Sequence, residues 1–338
     1  MPVTATVAVA LAAVLDALSA EPPTRIHPVA LLGRVVAWAE RAVDTQAAVS
    51  SGWYPRVAGV LLVLALPLGF AAVAVALVWI GSAIDPWIGA TLAAGVLFST
   101  TSLRLLLDSA RAVIDESDAD IDAARAALPA LAGRDAASLD APHLRSAAVE
   151  SLAENLADGL VAPLVAFAVA AAAVSAFGLS VAIEPTAALP LVAGAAAAAW
   201  VKAVNTLDSM LGYRSKPIGW APARLDDLVM WLPARLSAAL LAVAAGAPDA
   251  ALRTDVRALA RRPSSPNSGW PMATMAVVLP ARLHKPGAYN LDPSASGART
   301  ARGDAAPLPD VASATRAVRL TRRAGALAFA LVGVIVWF

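Results

Sequence analysis

The chain contains no cysteine. That excludes a disulfide framework, a thiolate nucleophile and a Cys-ligated metal, and leaves carboxylates, amides, hydroxyls, His and Arg to carry any chemistry. Charge is scarce too: Asp, Glu, Lys and Arg make up 15% of the 338 residues and balance to a net +1. A nucleic-acid-binding surface needs a concentrated excess of Lys and Arg, so no nucleic-acid partner is expected. The histidines, His27, His143 and His284, stand far apart, and none has a second His at metal-ligand spacing. No Walker A run, no G-x-S-x-G and no H-E-x-x-H occurs, so P-loop, hydrolase and zinc-protease chemistry have no local support. Strand-like alternation is missing as well.

What the chain has in abundance is apolar surface. Hydrophobic residues make up 59% and the mean hydropathy is +0.68, well beyond what the core of a soluble domain of this size requires. The solvent is therefore a bilayer. Ala-rich segments favour helix, and a span needs roughly 20 apolar residues to cross about 30 Å of hydrocarbon. Runs at 57–81, 87–107, 159–180 and 185–201 meet that need. A fifth at 229–247 is interrupted by Pro233 and Arg235, and a sixth closes the chain at 324–338. The expectation is an all-α, polytopic integral membrane protein with five to six membrane-embedded helices, folded as a single domain over 1–338 with an exposed Pro/Gly/Ser-rich loop at 286–312. The first twenty residues lack a basic leader and run into Asp16 and Glu21-Pro22-Pro23, and are read as retained.

Short connections at 82–86 and 181–184 hold Asp85 and Glu184 and no Lys or Arg, whereas 20–56, 108–158, 202–228 and 248–323 hold nearly all the basic residues. The positive-inside rule places these polar, helical loops in the cytoplasm. A full span at 229–247 would put two cationic segments on opposite sides, so that run is expected to be re-entrant or broken at Pro233, or the apolar run 270–281 returns through part of the bilayer.

Polar residues cluster in a few runs. In SAAVESLAENLADGLVAPL, Glu150, Glu154 and Asp158 fall at i, i+4 and i+8 of a helix, with Asn155 beside them. Three like charges on one stripe need basic partners or a hard cation such as Mg²⁺; the plain alternative is a solvated helix face. In WVKAVNTLDSMLGYRSK, Asn205 and Asp208 stand at i, i+3 with Lys202 a turn earlier and Thr206 and Ser209 adjacent. Ordinary helix termination accounts for Gly212 and Tyr213 there better than for the Asn-Thr-Leu-Asp-Ser run. Arg224, Asp226 and Asp227 form a third group, and Arg235, inside an apolar run, calls for an anionic partner or a path to the interface. Weaker signals are His27 with Arg34, Arg134 in Gly-Arg-Asp, and Ser265 and Asn267 in a turn-forming loop that has donors for an anion.

Taken in order, HPVALLGR at 27–34, AARAALPALAGRD at 123–135, AAVESLAENLADGLVAPL at 147–164, KAVNTLDSMLGY at 202–213, ARLDDLVMWLPARL at 223–236 and SPNSGWPMATMA at 265–276, with KPGAYNL at 285–291, resemble the CobD/CbiB proteins of cobalamin biosynthesis over about 16–291. The resemblance implies adenosylcobinamide-phosphate synthase activity: an ATP- and Mg²⁺-dependent ligation of (R)-1-amino-2-propanol O-phosphate to the corrinoid adenosylcobyric acid at the cytoplasmic membrane face. Partners would be the lipid bilayer, these substrates and a complex with other membrane-bound cobalamin-assembly enzymes.

Within that resemblance Glu150, Glu154, Asp158 and Asp208 are expected on the metal, and Glu150, Glu154, Asp208 and Asp226 in catalysis. Lys202, Arg224 and Arg235 are expected on phosphates, and Asn155, Asn205 and Asn267 orienting substrate. His27, Arg34, Arg134, Thr206, Ser209 and Ser265 complete the binding set. One carboxylate serves as general base. The chain departs from the family's Gly-Asp-Pro run at Ala20-Glu21-Pro22, has Ala136 where Thr is usual, and has Val277 and Pro280 in place of a Gly-Ala-Leu-type helix. Two rival readings share the scaffold. An intramembrane Mg-dependent prenyltransferase would need a second D-x-x-x-D, which Asn205-x-x-Asp208 is not, and an AmpE-like membrane sensor would leave the acid stripe dispensable.

Overall fold

The computed structural model describes residues 2–22, 25, 27–47, 52–178, 186–213, 215–296 and 305–338. In chain order the helices are α1 (Pro2–Ser19), α2 (Pro28–Ala47), α3 (Tyr54–Ile84), α4 (Pro86–Thr100), α5 (Leu103–Glu116), α6 (Ile121–Ala127), α7 (Ala141–Leu156), α8 (Ala162–Ala176), α9 (Leu189–Leu211), α10 (Trp220–Val229), α11 (Trp231–Ala244), α12 (Thr254–Ala260), α13 (Gly269–Val278) and α14 (Val311–Ile335). Among the described residues the protein is all-α apart from one small antiparallel hairpin, β1 (Leu283–Lys285) with β2 (Tyr289–Leu291), in register Leu283 to Leu291.

Local chemistry sets several of these boundaries. Asp85 accepts a hydrogen bond from the Trp87 amide at 2.8 Å and Pro86 opens α4, and Asp140 does the same for the His143 amide at the start of α7. Each supplies an oxygen to an otherwise orphaned first-turn N–H, while Pro just inside the start loses nothing by having none.

Among the described residues, four helices are long and apolar enough to cross a membrane: Tyr54–Ile84, Pro86–Glu116, Ala141–Ala176 and Thr186–Leu211. The 31-residue Tyr54–Ile84 has a mean hydropathy of 2.7 with 17% of its most apolar window buried, so its Leu61, Leu64, Leu68 and Ile80 face outward. An exposed apolar helix of that length is stable in lipid, not in water. Pro217–Val229 and Trp231–Ala244 make a fifth span only if counted together. The interruption expected at Pro233 falls at Met230 instead, because Pro233 lies in the first turn of α11, where its missing N–H is tolerated. The sixth span expected at 324–338 is not among these helices. Its apolar run continues from Arg316, Arg319, Arg322 and Arg323 within α14, which leaves too few uncharged helical residues to span. The apolar run 270–281 forms α13, ten residues long and largely buried in protein.

The chain forms two compact units, residues 1–102 with 162–229 and 329–338, and residues 103–161 with 230–328. In the first, α9 is the central helix and packs on α3, α8, α4 and α2. Small residues let the backbones approach. A Cβ on Gly194 would lie 2.9 Å from the Phe167 ring, the close packing that substitutes for a hydrophobic driving force inside a bilayer. Leu32, Val36, Val63, Leu207, Leu211 and Ile218 form a core cluster there. In the second unit α7 packs on α5, α13 and the hairpin, and α11 on α13, around buried Leu144, Leu152, Leu156 and Leu160.

Two local expectations change. The region 286–312 is not an exposed loop throughout: Tyr289–Leu291 pairs as a strand, and Leu291, Asp292 and Ala306 are buried, while 297–304, like Glu184, lies outside the described residues. The acid stripe is also not continuous. After α7 the chain enters a π-helical turn at Ala157–Val161, whose wider turn rotates Asp158 off the 3.6-residue register that joins Glu150 to Glu154.

Candidate functional site

The second unit contains a polar network centred on Glu150, which is fully buried. Its Oε2 accepts hydrogen bonds from the Arg134 guanidinium at 2.9 Å and from the Tyr289 hydroxyl at 2.8 Å, and its Oε1 accepts from Ser146 Oγ at 2.8 Å. Burial works against the Arg134 charge, but the Glu150 carboxylate more than offsets it and holds the guanidinium pKa above its ordinary value. Burial and then Glu150, with Glu154 nearby, push the Tyr289 phenol well above its ordinary value, so it keeps its proton and donates. The network continues from Ser146, whose Oγ accepts from the His284 amide at 2.8 Å. His143 Nδ1 lies 2.7 Å from Asp140 Oδ1 and His143 Nε2 lies 3.1 Å from His284 Nδ1. With neutral rings this makes a directed chain, His284 donating to His143 and His143 to Asp140.

Elsewhere in that unit Glu154, Asn155 and Asp158 are partly exposed, and the Asn155 amide reaches the Leu131 carbonyl at 3.5 Å. Arg235 lies against the Trp231 and Trp270 rings, 4.4 and 4.9 Å from their centroids, and donates to Asn267 Oδ1 at 3.2 Å and the Trp231 carbonyl at 2.7 Å. Its partners are aromatic faces and an amide, which suit a weakly hydrated guanidinium. The Asn267 and Ser268 backbone amides donate to Ser265 Oγ at 3.2 and 3.3 Å.

In the first unit α9 and α10 bring together residues from two separate sequence runs. Asn205 Nδ2 reaches Asp226 Oδ1 at 3.5 Å, and Asp208 lies within electrostatic range of Asp227, which Arg224 approaches at 3.8 Å from an exposed position. Asp208 is seated against the helix end: a Cβ on Gly212 would fall 1.9 Å from its Oδ1. Thr206 donates to the Lys202 carbonyl and Ser209 to the Thr206 carbonyl, at 2.8 and 2.9 Å. Arg34 is exposed on α2. Among the described residues no three His, Asp or Glu side chains gather closely enough to hold a metal ion by themselves. Asn205 and Asp226, with Asp208 three residues on from Asn205 along α9, offer oxygen donors of the kind that suit Mg²⁺ completed by phosphate and water.

A cleft of about 300 Å³ opens in the same unit, lined by Glu21, His27, Ser99, Thr101, Lys202 and Thr206 with apolar neighbours. Of the residues expected at a site, the structure thus gathers His27, Lys202 and Thr206 at the cleft, Asn205, Asp208 and Asp226 at the α9–α10 contact, and Arg134 and Glu150 in the buried network. Tyr289, Ser146, His143, His284 and Glu21 were not expected. The signal available for Tyr289 was Pro286-Gly287-Ala288 before it: Gly287 has φ +73°, the left-handed turn that a hairpin needs and that glycine adopts without strain. The two histidines are 141 residues apart, and no local pattern could pair them.

The family model described as CobD/Cbib protein matches residues 9–321. Among curated relatives, the cobalamin biosynthesis protein CobD of Klebsiella pneumoniae is 36% identical, covering 96% of this chain and 95% of its own. That of Mycobacterium tuberculosis is 36% identical over 97% and 96% of the two chains, and that of Rhodobacter capsulatus is 35% identical over 91% and 89%. No solved structure matches the chain.

Proposed function

Because the chain belongs to the CobD/CbiB family, we propose that it acts in cobalamin biosynthesis as an adenosylcobinamide-phosphate synthase. It joins (R)-1-amino-2-propanol O-phosphate to adenosylcobyric acid with ATP and Mg²⁺, at the cytoplasmic face of the cell membrane. The observation that carries this reading is the match of the whole ordered set of polar runs, from 9 to 321, to that family.

The site chemistry supports it. Amide formation from a carboxylate and an amine needs the carboxylate activated, negative charge neutralised and the amine deprotonated. Magnesium, carried with the nucleotide, would supply charge neutralisation on the phosphates. Asp208 and Asp226 would hold it, with the Asn205 amide orienting Asp226. Lys202 supplies a cation at the adjacent turn of α9 for a phosphate, and a carboxylate takes the proton the amine gives up. Glu154 and Asp158, partly exposed in the second unit, are proposed as metal-binding and catalytic carboxylates within that unit, with Asn155 for substrate. Glu150, Arg134 and Ser146 hold the framework around them. Arg34, Arg224 and Ser209 complete the proposed binding set of the first unit, and Arg235, Ser265 and Asn267 that of the second.

The test is product formation by the purified full-length protein in lipid nanodiscs, with ATP, Mg²⁺, adenosylcobyric acid and a panel of amino-alcohol phosphates, read by mass spectrometry. Adenosylcobinamide phosphate is the expected product. No amide from any amine in the panel, or turnover of a prenyl diphosphate instead, would overturn the reading.

A further inference from the structure

The cleft in the first unit combines donors and acceptors in a way that specifies its occupant. His27 sits at the start of α2 with its ring buried, and its Nδ1 accepts a hydrogen bond from the Val29 amide at 3.2 Å. That bond places the proton of the neutral ring on Nε2. Nε2 is itself buried and has no hydrogen-bond partner among the described residues, with Glu21 Oε2 3.6 Å away. Burial, and then the Lys202 cation, hold the His27 pKa below its ordinary value, so the ring stays a neutral donor. A buried N–H without an acceptor costs free energy that a ligand oxygen would recover.

The hydroxyls behave in the opposite sense. Ser99 Oγ donates to the Val96 carbonyl at 2.8 Å, Thr101 Oγ1 to the Leu97 carbonyl at 3.0 Å and Thr206 Oγ1 to the Lys202 carbonyl at 2.8 Å. Their protons are committed to helix backbone, and each oxygen has lone pairs to offer. Donors in the cleft are therefore His27 Nε2–H and the Lys202 ammonium, and acceptors are the Glu21 carboxylate and hydroxyl oxygens. Val29, Ala30 and Met210 add an apolar wall. At about 300 Å³ the cleft lies at the small end of ligand sites and is too small for a corrinoid.

We infer that this cleft binds a small zwitterion, a phosphate monoester bearing a primary ammonium group, with the phosphate on His27 Nε2–H and Lys202 and the ammonium on Glu21 and the hydroxyl oxygens. The inference rests on the ligase reading for its choice of substrate, and it goes beyond that reading in placing the amine substrate and in assigning Glu21. A short carbon stem between the two charges would lie along the apolar wall.

The experiment is calorimetric titration of the full-length protein in nanodiscs with (R)-1-amino-2-propanol O-phosphate, with the unphosphorylated amine and with inorganic phosphate. The zwitterion is expected to bind at least about tenfold more tightly than either fragment, since each charged contact contributes separately. Lys202→Met should weaken both the zwitterion and inorganic phosphate by about tenfold or more. Glu21→Gln should weaken the zwitterion by a similar factor without weakening inorganic phosphate, since it removes a negative charge beside the phosphate donors, a selective loss that misfolding does not produce. Wild-type protein that fails to bind the zwitterion, or Lys202→Met and Glu21→Gln proteins that bind it as wild type does, would overturn the inference. Run beside the product assay, the two failures separate. Amide formed by wild type with unchanged affinities in the variants removes the cleft and keeps the ligase, whereas zwitterion binding lost in the variants without any amide keeps the cleft and removes the ligase.

Discussion

The Glu150 network and the Glu21–His27–Lys202 cleft are built from the same residue types, an acid, a base, hydroxyls and histidine, yet they are finished differently. In the network each charged group meets a partner from the protein itself: Arg134, Tyr289 and Ser146 all converge on one carboxylate. In the cleft the buried His27 Nε2 has Glu21 Oε2 at 3.6 Å but no hydrogen-bond acceptor among the described residues, and the hydroxyl protons are turned away toward helix carbonyls. A closed set of hydrogen bonds fixes conformation, because removing one member leaves the rest buried and unpaired. An open set has recognition capacity left over. The difference in saturation, more than residue identity, distinguishes framework from binding surface.

The largest effect that would break this comparison lies in the network. Arg134→Met leaves the fully buried Glu150 without its cation and should cost about 3–5 kcal/mol of stability, measured by chemical unfolding in detergent. The double change Arg134→Met with Glu150→Met should recover most of that loss, since it leaves no buried charge behind. A single substitution without effect on unfolding would mean that the network is not a framework. A second test concerns the α9–α10 contact. Gly212→Ala drives a methyl group into the Asp208 carboxylate and should lower adenosylcobinamide-phosphate formation by about tenfold or more, on the scale of a misplaced catalytic group. Wild-type rates in that variant would remove Asp208 from the site.

A smaller effect is expected from pH. His27 and His284 both have pKa values below the ordinary 6.5, His27 through burial and Lys202, His284 through burial, His143 and Arg282. Each binds protons more weakly folded than unfolded, so stability is fully present above about 6.5 and falls as pH drops below it. Unfolding midpoints taken between pH 8 and 5 should decline on the acid side, and His27→Gln with His284→Gln should flatten that decline. A midpoint unaffected by those changes would show that neither ring is held neutral.

The smallest effect lies at the edge of the cleft. Ala20 has φ +58° after the end of α1, a left-handed position that costs a residue with a Cβ on the order of 1 kcal/mol. Ala20→Gly should therefore raise stability by up to about 1 kcal/mol, reduced by the greater freedom of Gly in the unfolded chain. The family resemblance expects Gly at this point, and the backbone supplies the reason. Destabilisation on that change would mean that the turn delivering Glu21 is not strained.

Much of the fold was legible along the chain because a bilayer imposes a one-dimensional rule. Runs such as 57–81 announce spans by length and hydropathy alone, and the observed Tyr54–Ile84 and Thr186–Leu211 extend beyond them because the same helices continue through flanking residues such as Arg56, Lys202 and Asp208. The run at 324–338 was misjudged because its apolar composition said nothing of the arginines sharing its helix. Among the proposed site residues, Asn205 and Asp208 share a helix face by their spacing, and Asp226, which the Asn205 amide reaches, lies in the neighbouring run. Glu150 and Glu154 were legible as a stripe, but the π turn that displaces Asp158 has no marker in residue spacing.

The sequence by itself determined that this is an all-α membrane protein of the CobD/CbiB family, since hydropathy, helix spacing and ordered polar runs are properties of neighbouring residues. Only the tertiary structure decided which polar groups saturate one another and which face an opening. Pairings such as Tyr289 with Glu150, 139 residues apart, or Glu21 and His27 with Lys202, arise when separate helices pack. Burial and the count of remaining hydrogen-bond partners, which set what a polar side chain can do, exist only after that packing.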